Sequence, residues 1–256
     1  MRYVKDSIKL SLEHDHPFLK LTLHSGFVTQ DQLWEFMVRA GHESKRRSFN
    51  WRAKRLVDHG FLKRHVLSNG ARRFVYSLTQ DGAQELVNLD DCNTAVVGFY
   101  NRASDVDRMR HAIDLNDLRL ALVRAGVLAG WKSDLEIRSQ NAFTSYGYAK
   151  DYDAVVTLRL DGQNVQFALE YERQAKAEDR YVEIAGLMHH ERRLDRFVYL
   201  LPEYHLLWFV HHCFRGVHLK IYFGVSCDFT RELLSMQVID PALRQLTLAE
   251  ALKPSL

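Results

Sequence analysis

Three acids and a lysine in the second half of the chain could do phosphoryl chemistry. Asp153 opens one apolar run, Glu170 and Glu172 close the next, and Lys176 follows shortly after. Convergent carboxylates offer hard oxygen ligands to Mg²⁺, and a nearby lysine places a cation beside an attacked phosphate. A second set, in the first half, suits holding a polyanion rather than cutting one. Between Ser44 and Val75 stand Lys45, Arg46, Arg47, Arg52, Lys54, Arg55, Lys63, Arg64, Arg72 and Arg73 against one acid, Asp58, a local charge of +9 in a chain whose net charge is +3. Cations focused in this way raise the local concentration of nucleic acid and supply the counterion-release part of its affinity.

The spacing of the apolar residues says which elements must carry the cations. Phe49, Ala53, Leu56, Val57 and Phe61 recur at helical intervals, so a helix from about Lys45 to His59 buries one face and leaves Arg47, Asn50, Trp51, Lys54 and Arg55 outside or at the rim. Gly60 ends it. Two alternating runs follow, Phe61 to Leu67 and Arg73 to Leu78, joined by Ser68-Asn69-Gly70-Ala71, whose Asn and Gly accept the positive φ of a tight hairpin. Upstream, His16 to Gly26 reads as a helix, and Thr29 with Gln32 three residues on reads as the capped start of another that ends near Gly41. Three helices and a basic-tipped hairpin predict a winged helix-turn-helix at 1–90, with a fourth helix at 79–89. In that arrangement Arg46, Arg47, Asn50 and Lys54 are candidate base or phosphate contacts, and Arg72 and Arg73 reach the adjacent phosphates or minor groove. Lys45, Arg52 and Arg55 complete the candidate DNA-binding set. The competing structural reading is a solvated basic helix packed beside a hairpin.

The acids need a different scaffold. Residues 91–106, of mixed polarity, read as a linker, and 107–256 as a second domain. Its predicted elements are a helix at 113–126, a strand at 131–138 carrying Glu136, strands at 153–160 and 165–171 joined by the hairpin signal Asp161-Gly162, a long helical segment at 175–197 and a strand at 205–212. Because the two central strands run antiparallel, the start of one lies beside the end of the other, and Asp153 meets Glu170 and Glu172. A helix, strands, hairpin, helix and strand in this order make a mixed α/β layer, so the chain is expected to be α+β.

At these residues the chain resembles a family. Asp153, the Glu170-x-Glu172 pair and the αβββαβ order resemble the PD-(D/E)xK nuclease superfamily. The whole layout is similar to the replication-relaxation family of bacterial plasmids and integrative elements, through HAIDLNDLRLAL at 111–122, DYDAVVTL at 151–158 and FALEYERQAKAEDRY at 167–181. The resemblance implies a winged helix followed by a restriction-endonuclease-like domain. Two departures bear on catalysis: Glu172 stands where the superfamily motif has lysine, and Tyr152 precedes Asp153 where it has proline. Lys176 could substitute for the lost lysine. Alternatively the acids are held by Arg173, Arg180 or Lys150 in an ion-pair network and the fold persists without catalysis, since an unpaired buried carboxylate is costly.

Composition bounds the rest. Residues 1–90 carry 15 Lys/Arg against 10 Asp/Glu, and 91–256 carry 20 against 22, so the basic character belongs to the first domain. Cys92, Cys213 and Cys227 are far apart with no CxxC spacing, as in reduced cytosolic proteins. No run approaches the roughly 18 apolar residues of a membrane span, and the N-terminus lacks a signal-peptide core. The expectation is a cytoplasmic protein that binds double-stranded DNA as a homodimer, regulates transcription of a mobile element or defence locus, needs no cofactor and uses a nuclease-like domain for dimerisation or sensing. The alternative is a Mg²⁺-dependent endonuclease that uses Asp153, Glu170, Glu172 and Lys176, with Asp153 and Glu170 as metal ligands.

Overall fold

The computed structural model describes residues 8–69, 71–88 and 105–253, without the side chains at 68, 69, 71 and 72. The chain divides into two compact units, Met1–Asn116 and Asp117–Leu256. The division falls inside the helix Val106–Arg124, and all of the linker expected at 91–106 except its last two residues lies outside the described part.

In the first unit, α1 (Asp15–Ser25) is followed by the two-residue strand β1 (Val28–Thr29), α2 (Gln30–Arg39), α3 (Arg46–Asp58), the hairpin β2 (Leu62–Asn69) and β3 (Ala71–Leu78), and α4 (Gln80–Asn88). Gly26 and Gly60, both at positive φ, end α1 and α3, as the sequence predicts. The Thr29 hydroxyl accepts from the Gln32 amide while Gln32 Oε1 accepts from the Thr29 amide, a reciprocal cap that fixes where α2 begins. β1 pairs with β3, giving a three-stranded sheet in the order β1-β3-β2. The core packs Phe18, Leu19 and Leu23 of α1 with Leu33, Phe36 and Met37 of α2 and Phe49, Ala53 and Leu56 of α3. The Phe18 and Phe49 rings stack 5.3 Å apart.

The second unit contains the C-terminal part of α5 (Val106–Arg124), then β4 (Leu128–Ser133), α6 (Asp134–Phe143), β5 (Ala154–Leu160), β6 (Gln163–Tyr171), α7 (Glu178–His189), β7 (Arg196–Leu201), α8 (Tyr204–Cys213), β8 (Lys220–Val225), α9 (Ser226–Glu232), β9 (Gln237–Ile239), β10 (Gln245–Thr247) and α10 (Leu248–Leu252). One seven-stranded mixed sheet runs β10-β9-β8-β7-β6-β5-β4. β4, β5 and β6 pair antiparallel, whereas β6, β7 and β8 pair parallel. The Asp161-Gly162 turn between β5 and β6 has both residues at positive φ, 48° and 79°. The chain is therefore α+β.

Three predicted elements are corrected. Ser133 caps a helix rather than continuing a strand to residue 138: Glu136 accepts from the Ser133 amide and hydroxyl, each at 2.8 Å, so Glu136 belongs to the first turn of α6. The segment 175–197 is α7, a turn and β7 rather than one helix, and 205–212 is the helix α8 rather than a strand. In α8, Leu206, Leu207, Val210 and His211 are buried at helical spacing.

Candidate nucleic-acid interface and acidic centre

α3 sorts its polar residues by face. Phe49, Arg52, Ala53 and Leu56 are buried, while Lys45, just before the helix, and Arg47, Asn50, Trp51 and Lys54 are exposed. Arg47, Asn50 and Lys54 sit at i, i+3 and i+7, on one stripe. Asn50 Oδ1 accepts from Gln30 Nε2 at 2.8 Å, and Lys54 pairs with Asp58 one turn on. Half-buried Arg46 pairs with Asp31 and lies 5.4 Å from the Trp34 and Phe49 rings.

Two members of the expected DNA-binding set do not face the solvent with the rest. Arg52, its side chain 11% exposed, donates from Nε to Glu43 Oε1 at 2.6 Å and from Nη1 to Asp15 Oδ1 at 2.7 Å. Half-buried Arg55 pairs with the other oxygen of Asp15 and lies 4.8 Å from the Trp51 ring. Asp15 itself is completely buried. Burial alone would raise its pKa, but hydrogen bonds from Arg55, the Ser11 amide and Arg52 hold it below the ordinary carboxylate range. These two arginines tie α3 to α1 and to Glu43, ahead of α3. Charge counting cannot tell such a cation from one aimed outward; its spacing with Phe49 and Leu56 could have done so.

The hairpin adds Lys63 and Arg64, which the expected set omitted, to Arg73, which it named. Lys63, Arg64 and Arg73 are exposed, and Arg64 lies opposite Tyr76 in the ladder and over the Phe74 ring at 4.8 Å. A cleft of about 400 Å³ runs between α3 and this face of the hairpin, bounded by Gln30, Asn50, Lys54, Arg64, Phe74 and Tyr76. Neither Gln30 nor Tyr76 is among the residues the sequence singles out; only the fold places both at the cleft. The Arg72 side chain lies outside the described residues.

In the second unit, the antiparallel pairing of β5 and β6 brings the acids together as the spacing predicts. Asp153 Oδ2 accepts from the Tyr171 amide at 2.7 Å. Glu170 and Glu172 are both buried. Lys150 pairs with Glu170, and Lys176 Nζ lies 2.6 Å from Glu172 Oε1. Lys176 stands before α7 rather than in its first turn. Arg180 pairs with Glu183 at the surface instead of joining the acids. Burial pushes the Glu170 carboxyl up to about 7; Lys150 opposes the rise and Asp153 reinforces it. Tyr199, opposite Glu170 on β7, is buried with no hydrogen-bond partner for its hydroxyl among the described residues. Burial raises its pKa well above the usual value, and the three acids add to the rise.

One oxygen of Glu170 is taken by Lys150, one of Asp153 by the Tyr171 amide, and no group of three His, Cys, Asp or Glu side chains among the described residues is placed to hold a metal.

A family model described as replication-relaxation matches residues 19–186, about two thirds of the chain. The chain belongs to that family. No curated protein matches it. Among solved structures it is similar to restriction endonuclease FokI bound to DNA, at 10% identity and a TM-score of 0.23, covering 92% of this chain and 45% of that one. Among the described residues no helix is long and apolar enough to cross a membrane.

Proposed function

We propose that this member of the replication-relaxation family is a double-stranded DNA-binding protein, a regulator of transcription on a mobile element or at a defence locus. The observation that carries this reading is the exposed stripe of α3, Arg47, Asn50 and Lys54, flanked by Lys45 and by Lys63, Arg64 and Arg73 of the hairpin. With the hairpin as the wing, α3 enters the major groove, its long cations meet phosphates on either side, and the hairpin cations hold the neighbouring backbone. Binding as a homodimer would pair two half-sites related by two-fold symmetry. The second unit is then a nuclease-like module that works in dimerisation or sensing, its acids neutralised by Lys150 and Lys176 rather than loaded with Mg²⁺.

An endonuclease is the second reading, because Asp153 and Glu170 do stand side by side. Incubation of the purified protein with supercoiled plasmid and Mg²⁺ or Mn²⁺ separates the two. The regulator shifts the plasmid and leaves it supercoiled. Nicked or linear product that disappears in Asp153→Ala would overturn the non-catalytic assignment.

A further inference from the structure

We infer that Asn50 reads a single base pair, an adenine in the major groove, and that Gln30 is the positioning residue that fixes which way its amide points. The inference rests on the DNA-binding reading above and deepens it.

Arg47 and Lys54 are long and flexible, suited to the phosphates on either side; between them Asn50 is short, planar and exposed. A free asparagine amide can turn over, exchanging donor and acceptor, and then discriminates little between base edges. Here it is held. Gln30 Nε2 donates to Asn50 Oδ1 at 2.8 Å, and Tyr76, buried behind it, donates its hydroxyl to Gln30 Oε1 at 3.4 Å. In this arrangement the tyrosine proton meets the Gln30 oxygen, which leaves the Gln30 NH₂ for Asn50. Asn50 Nδ2 keeps both hydrogens, with no partner among the described residues, and Oδ1 keeps one lone pair. A donor beside an acceptor on one amide matches adenine, whose N7 accepts and whose N6 amino group donates. Thymine O4 and guanine O6/N7 offer acceptors only, and cytosine N4 offers a donor only.

The test is selection of binding sites from a randomised duplex library by the full-length protein, with the salt dependence of affinity measured on the selected duplex. The wild type is expected to select adenine at one position by about ten-fold or more over other bases. Asn50→Ala should lose that preference alone, with the salt slope unchanged because no phosphate contact is removed. Gln30→Glu can no longer donate; it accepts from Asn50 Nδ2, exchanges donor and acceptor along the outward edge, and should reduce the adenine preference. Gln30→Ala should spread it over several bases, and melting temperatures check that each variant is folded. Retention of the adenine position in Asn50→Ala, or an unchanged position in both Gln30 variants, overturns the inference. Salt-sensitive binding without any base preference overturns it too, while leaving the DNA-binding reading standing. Absence of salt-sensitive binding removes both.

Discussion

Arg52 shows how one residue in a basic run can serve the fold instead of a ligand. Its guanidinium bridges Asp15 and Glu43, two carboxylates with side chains 0% and 5% exposed. Removing it leaves Asp15 with Arg55 and the Ser11 amide but strands Glu43 in the interior, so Arg52→Ala should destabilise the first unit by about 3–5 kcal/mol, as breaking a buried pair from one side does. Urea unfolding measures the loss; a change below about 1 kcal/mol would show that the acids find other partners. Asp15 also gives this unit an acid limit. Its folded pKa lies below its unfolded one, so its contribution is complete above the ordinary carboxylate range and is lost as pH falls through the lower, folded value. Asp15→Asn should therefore flatten the fall in stability on the acid side and leave the neutral side parallel to wild type. The cation count at 45–73 was legible in the sequence, but it could not separate Arg52 and Arg55, which face α1, from Arg47 and Lys54, which face outward.

At the level of elements, the chain announced itself best where caps and turns are local. The Thr29–Gln32 cap, the glycines that end α1 and α3 and the Asp161-Gly162 hairpin all stand where spacing places them. Thr29→Ala removes a hydroxyl that satisfies the Gln32 amide and should cost about 1 kcal/mol, read as a lower urea midpoint with an unchanged slope. An unchanged midpoint would mean that water or another group satisfies the freed amides. Local signals misled where two patterns overlap. Trp131, Ser133, Leu135 and Ile137 alternate like a strand, although Ser133 and Glu136 have capping-box spacing, and the cap prevails because its two hydrogen bonds begin a helix whose Leu135 and Ile137 are buried. α8 is apolar on so many sides that period alone does not separate it from a buried strand. The convergence of Asp153 with Glu170 was legible from antiparallel pairing. Lys150 and Lys176 stood among the candidate partners of the acids; that Arg180 would stay apart was not legible, because those contacts depend on how loops and the start of α7 fold back.

For the whole molecule, one buried carboxylate in each unit gives the two units opposite responses to pH. Glu170 has a folded pKa near 7 against an ordinary 4.5, so the folded state holds its proton more tightly and this residue's contribution falls as pH rises from about 4.5 to 7. Its direction is opposite to that of Asp15 in the first unit. Glu170→Gln should remove that decline from the second unit's stability profile, measured by urea unfolding across the same range; a decline of the same size in the variant would place its origin elsewhere.

The central claim is that the outward stripe of α3 meets the phosphates of duplex DNA. The slope of log affinity against log salt concentration tests it, measured for wild type and for Arg47→Ala with Lys54→Ala. A negative wild-type slope, shallower by about 2 in the double variant, is the predicted result, since each lost phosphate contact removes about 0.9. A slope that the double variant leaves unchanged would contradict the account and place the DNA on another surface.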